Sequence, residues 1–109
     1  MSNPNGRKGS QFETDLVRFL QERGFPNAER RVREGANDRG DVAGVPGVVF
    51  EAKNVQRIEL SRFVEEAERE RANAGALLGV TVIKRRGKGV ADAYCVVPLH
   101  AFVTLIGGD

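Results

Sequence analysis

The sequence predicts an α/β domain, a mixed central β-sheet flanked by helices in the order α-β-β-β-α-β-β-(α). Three observations predict it. Apolar residues recur at helical spacing in two segments, around residues 12–20 and 58–74. Two apolar runs, residues 48–50 and 76–83, bracket the second helical segment, as a right-handed strand-helix-strand crossover requires. Gly, Pro, Asn and Asp punctuate the chain between these segments.

Each element follows from local chemistry. Ser10-Gln11-Phe12-Glu13 reads as a capping box, the serine hydroxyl accepting from the Glu13 amide while the Glu13 carboxylate reaches back. Phe12, Leu16, Val17, Phe19 and Leu20 continue at helical spacing and Gly24 offers a stop, so the first helix should span residues 10–23. Residues 28–33 read as a short strand and 35–40 as a loop, after which residues 41–45 and 48–53 form a hairpin around Pro46-Gly47. The second helix, from about residue 58 to 74, has a narrow stripe of Phe63, Val64, Ala67, Arg71 and Ala74, and Gly75 ends it. Residues 76–83 suit a strand buried on both faces; a basic turn leads to a last strand, 91–97, and residues 98–106 close the chain as a short helix.

At 109 residues the chain has room for one core, so residues 1–109 are read as a single domain with a polar, flexible N-terminal arm at 1–9. With 40% hydrophobic and 29% charged residues, and an apolar run too short to span a bilayer, a soluble cytoplasmic protein with no membrane partner is expected. One cysteine, Cys95, and one histidine, His100, exclude an intrachain disulfide and a Cys/His zinc site. A metal would have to be held by oxygen, which favours Mg²⁺ or Mn²⁺.

The chemistry concentrates at Asp41 and Glu51-Ala52-Lys53, which place two carboxylates and an ammonium at the polar end of the apolar hairpin. Hydrolysis of a phosphodiester needs an activated water and neutralised phosphate charge, both of which a carboxylate-held divalent ion supplies. Asp41 and Glu51 are the expected ligands, the Ala52 backbone carbonyl a further one, and Lys53 the group beside the attacked phosphate. An acid-x-Lys tripeptide arises by chance about 0.6 times in such a composition, so position must carry the reading. A three-residue connection at Val45-Pro46-Gly47 sets Asp41 opposite Glu51, whereas a two-residue Pro46-Gly47 turn sends the carboxylates to different faces; the odd-length turn is expected. Asp38 competes with Asp41, but it sits in a turn where Asp is expected for local reasons. Glu13 shares a helix face with Val17 and Leu20 and either holds a metal-bound water or completes a second metal site, or serves only as the capping-box acid.

The net charge of +2 hides an uneven distribution. Arg30, Arg31, Arg33 and Arg39 surround the Asp41 segment, and Lys84, Arg85, Arg86 and Lys88 crowd one turn, while five glutamates between residues 59 and 70 are read as lying away from the site. These cations, with Lys8 and Gln56, are the candidate DNA contacts. The basic turn has no interleaved aromatic residue, which suits phosphate contact better than base stacking.

Glu13, Asp41, Glu51 and Lys53, in this order on helix, strand, strand and strand, resemble the PD-(D/E)xK nuclease superfamily. Lys8-Gly9-Ser10 leading into Phe12-Glu13, then Leu16, Leu20 and Gly24-Phe25, is similar to the opening of archaeal Holliday junction resolvases and their phage-encoded relatives. The segment Glu51-Ala52-Lys53-Asn54, the charged helix and the turn 84–88 extend the likeness over residues 7–106. The resemblance implies a restriction-endonuclease-like core and a Mg²⁺-dependent endonuclease in which Asp41 and Glu51 are metal ligands, Lys53 the catalytic lysine and Glu13 the helix-borne acid. It also implies a role in DNA recombination, in the host cytoplasm if the protein is phage-encoded. Gly40 stands where the family name has proline, and the loop at 35–37 lacks a serine that archaeal resolvases carry, so the likeness speaks for hydrolysis more than for junction choice.

Three functions remain open on these residues: a resolvase cutting branched DNA, a duplex-cutting restriction or repair nuclease, and a non-catalytic nucleic-acid-binding module of the same fold. A single site per chain makes a homodimer the expected form for paired cuts, with the C-terminal apolar segment or the first helix as the contact.

Overall fold

The computed structural model describes residues 4–32 and 35–109, with side chains from residue 9 onward. The predicted order holds. Helix α1 (Pro4–Glu22) precedes strands β1 (Glu29–Arg30), β2 (Val42–Ala43) and β3 (Val48–Lys53). Helix α2 (Leu60–Ala74), strands β4 (Leu78–Ile83) and β5 (Tyr94–Val96) and helix α3 (Leu99–Leu105) complete the chain. The five strands form one mixed sheet in sequence order, antiparallel except for the parallel β3–β4 pair that α2 connects.

Helix α1 starts six residues before the expected cap. Ser10 lies inside it, its carbonyl accepting from the Thr14 hydroxyl at 3.1 Å, so there is no capping box and Glu13 is a mid-helix side chain. Pro4 at the first helical position is the true start signal, its fixed φ suiting a site where no amide partner is needed. The helix therefore takes in residues 4–9, most of the segment that the sequence predicts to be an arm. Strands β1, β2 and β5 are shorter than expected, and a 3₁₀ turn, Val90–Asp92, occupies the start of the last predicted strand.

Alternation along β3 and β4 assigns the sheet's two faces. Val48, Phe50 and Ala52 of β3, with Val80 and Val82 of β4, pack into the core that Phe12, Leu16 and Leu20 of α1 fill. Val49, Glu51 and Lys53 point to the opposite face, which α2 covers. Helix α2 lies very close to β4. A Cβ on Gly79 would stand 2.8 Å from the Ala67 carbonyl oxygen, and the Thr81 hydroxyl donates to the Phe63 carbonyl at 3.3 Å. Ala67 against Gly79 is thus a small-on-small contact that brings the helix down onto the sheet.

No helix among the described residues is long and apolar enough to cross a membrane.

Candidate functional site

The hairpin register decides whether the predicted carboxylates meet. Val42 lies opposite Phe50, the register that an odd-length connection gives. The ladder ends at that pair: the Asp41 amide also turns to the Phe50 carbonyl at 2.8 Å, one residue out of register, so Asp41 stands just outside the ladder at the end of β2. Gly40, just before it, has φ of 97°, and a Cβ there would fall 2.6 Å from Val49 Cγ1 and 2.9 Å from the Phe50 carbonyl oxygen. Glycine is therefore required here.

Glu51 and Lys53 share the α2 face, with Lys53 Nζ 3.4 Å from Glu51 Oε1. Two further acids join them from α2. Lys53 Nζ is 3.0 Å from Glu66 Oε2, and Glu51, Glu66 and Glu70 each offer an oxygen within 4.8 Å of the others. The ammonium also stands over the Phe63 ring, 5.0 Å from its centroid. Glu66 and Glu70 correct the reading that the helical glutamates lie away from the site. A signal was present: Phe63, Ala67 and Glu70 at i, i+4 and i+7 form the buried stripe of α2, and an acid on that stripe needs a reason.

Burial sets the electrostatics. Glu51 is 2% exposed and its pKa is pushed up to about 9, first by loss of hydration, then by the hydrogen bond and charge of Glu70, against the opposing pull of Lys53. Glu70 rises to about 7, first by burial, then by the charges of Asp38, Glu66 and Asp41, although its bond with Glu51 acts the other way. Lys53 is raised above its usual value: burial is the largest single influence and lowers it, but Glu66 and Glu51 together outweigh it. Glu51 Oε2 and Glu70 Oε2 are buried and no donor of another residue reaches them, so a bond between the two carboxyls requires a proton held by one of them. Glu51, Glu66 and Glu70 thus form an all-oxygen donor set that could hold a metal ion.

The other predicted residues lie around this cluster. Asp41, 4% exposed, accepts from the Ala52 amide through Oδ2 at 2.8 Å, and its own carbonyl accepts from the Arg31 amide at 2.9 Å. Glu13 is not among the acids gathered at Glu51. It lies on α1, pairs with Arg30 at 2.6 Å, and lines a separate cavity of about 370 Å³ with Arg30, Arg31, Val32 and Asp41. Asp41 thus borders both the α2-side cluster, through its effect on Glu70, and the cavity that holds Glu13. Asn73 of α2 ties down the loop before Asp41, its amide donating to the carbonyls of Ala36 and Asp38 at 3.1 and 2.9 Å.

The basic turn starts beside the catalytic candidate: the Lys84 amide donates to the Lys53 carbonyl at 2.9 Å. Lys84 itself is structural, its ammonium bonding the carbonyls of Arg85 and Lys88 across the turn. Arg86 and Lys88 are exposed, as are Arg39 and Gln56. Arg85 stands over the Tyr94 ring at 4.8 Å, so the turn does have an aromatic neighbour, supplied by β5 through the Ile83–Tyr94 pairing. Arg33 lies outside the described residues, as does the side chain of Lys8. His100 and Cys95 are exposed and stand in neither carboxylate group.

Comparison of the chain with known protein families, with curated proteins and with solved structures returns no match.

Proposed function

We propose that this chain is a Mg²⁺- or Mn²⁺-dependent DNA endonuclease that hydrolyses phosphodiester bonds in branched DNA, with Holliday junctions as the leading substrate. The observation that carries the reading is Glu51 beside Lys53 on one face of β3, with Asp41 just beyond the end of the β2–β3 ladder and a buried Glu51 oxygen that has no donor. A bound divalent ion would acidify a water and neutralise charge on phosphorus. Glu51 and Asp41 are suited to hold it, with the Ala52 carbonyl as a further ligand. Lys53, kept charged by Glu66 and Glu51, can donate to a phosphate oxygen next to that position.

The surroundings suit a polyanion. Arg86 and Lys88 project from a turn hydrogen-bonded to the Lys53 backbone, and Arg30 and Arg31 line the cavity beside Asp41, so cations flank the carboxylates on two sides. Paired cuts would use a homodimer. The apolar groove of about 390 Å³ between β3–β5 and α3, with Phe102 and Leu105 on its rim, is the surface we assign to the second copy. Helix α1 is the poorer candidate, because Phe12, Leu16, Val17 and Leu20 are all spent on the core.

The test is cleavage of a synthetic four-way junction and of its component duplexes at fixed salt with Mg²⁺. Junction-selective cutting that disappears in Lys53→Ala and Glu51→Gln is expected. Cutting that survives either substitution contradicts the site, equal cutting of the duplexes points to a restriction- or repair-type nuclease, and no cutting of any DNA with Mg²⁺ or Mn²⁺ leaves a binding module.

A further inference from the structure

The ligand set implied by resemblance uses nothing from α2, yet Glu70, the most deeply buried acid beside Glu51, comes from that helix, with the partly buried Glu66 one turn before it. We propose that Glu66 and Glu70, together with Glu51, form a divalent-cation position of their own on the α2 side of β3. The proposal rests on the metal-dependent reading above and adds two ligands to it.

Four observations support it. The first is placement, because Glu70 is 3% exposed on the inward stripe of α2, one turn beyond Glu66, and the Ala67–Gly79 contact holds this part of the helix tight against the sheet. A carboxylate so placed is costly unless a proton or a cation compensates it. Spacing is the second: oxygens within 4.8 Å of one another match ligands on opposite sides of one ion, since metal–oxygen distances of about 2.1–2.4 Å span about 4.2–4.8 Å across it.

The third observation is independent of the acidic count. Glu51 Oε2 and Glu70 Oε2 are both buried and have no hydrogen-bond donor, although nearly every buried polar atom in a folded protein finds a partner. Both belong to side chains buried within the cluster, so a cation there would satisfy the two orphans at once. The fourth is charge. With all three carboxylates ionised on binding, the cluster and the Lys53 ammonium would together carry two negative charges, the complement of one divalent ion. Asp41 is not needed for this position, and its Oδ2 is already engaged by the Ala52 amide.

Mn²⁺ titration of the full chain by calorimetry tests the idea, using wild type, Glu70→Gln and Glu66→Gln, each shown folded by circular dichroism. At least a tenfold loss of affinity, or the loss of one bound equivalent, is expected in both variants. Affinity and stoichiometry within twofold of wild type in both would overturn the proposal. Should either variant fail to fold, Mn²⁺-induced broadening of wild-type amide resonances decides instead: broadening over residues 66–70 is expected, whereas broadening confined to the residue 38–41 segment overturns it. Wild-type junction cleavage is scored separately, so a nuclease whose Mn²⁺ binding ignores Glu70 refutes this inference alone, and a chain that binds Mn²⁺ through Glu70 without cutting DNA refutes only the nuclease reading.

Discussion

The two faces of β3 are built for opposite purposes from interleaved residues of one strand. Toward α1, Val48, Phe50 and Ala52 meet Phe12, Leu16 and Leu20 in an ordinary apolar core. Toward α2, Val49 is followed by Glu51 and Lys53, which meet Glu66 and Glu70 in a buried charged cluster. The first face lowers the free energy of folding by removing hydrocarbon from water. The second raises it, because carboxylates lose hydration and repel each other. A small domain tolerates that only when the apolar face is good enough to offset it, which is why the α1 side carries most of the buried hydrophobic residues.

This division can be broken from either side. The largest effect is expected on the α1 face: Phe12→Ala removes a ring that is 1% exposed and should cost about 3–5 kcal/mol, read as a lower urea midpoint. Next comes Gly79→Ala on the α2 face, where the added methyl meets the Ala67 carbonyl oxygen at 2.8 Å and should cost about 1–3 kcal/mol while lifting Glu66 and Glu70 away from Glu51. Weaker Mn²⁺ binding in that variant would tie the packing to the site; unaltered binding would separate them. Arg30→Ala should have the smallest effect on stability, about 0–1 kcal/mol, since half of that arginine side chain is solvent-exposed and its pair with Glu13 is screened. A loss of several kcal/mol there would make Glu13 part of the scaffold rather than a neighbour of the site.

The α1 face was largely legible from the sequence. Phe12, Leu16, Val17 and Leu20 declare an amphipathic helix, and Val48 to Lys53 emerges with the strand bounds the periodicity predicts. The odd-length register of the hairpin was legible too, since Val42 meets Phe50, but the ladder ends at that pair and leaves Asp41 just outside it, a local step that strand alternation alone does not signal. The α2 face was only half legible. Glutamates on a helix look like a solvated surface, and Glu70 is betrayed only by its spacing from Phe63 and Ala67. Tyr94 was missed for another reason: its place beside Arg85 depends on the β4–β5 register across a long turn, which no local pattern fixes. The early start of α1 was signalled by Pro4, but Ser10 to Glu13 imitates a cap well enough to mask it.

The central claim is that the α2 face of β3 holds unbalanced carboxylates that a divalent cation completes, and equilibrium unfolding against pH tests it most directly. Glu51 rises from 4.5 to about 9 and Glu70 from 4.5 to about 7, so the folded chain keeps protons that the unfolded chain releases above about pH 4.5. The metal-free protein should therefore lose stability as pH rises from there toward 9, and Glu51→Gln should flatten the loss. At about pH 8, Mn²⁺ at roughly 100 times its Kd should restore about 2.7 kcal/mol to the wild type and little or nothing to Glu51→Gln. A pH-independent wild type, or equal stabilisation of both proteins by Mn²⁺, would contradict the account.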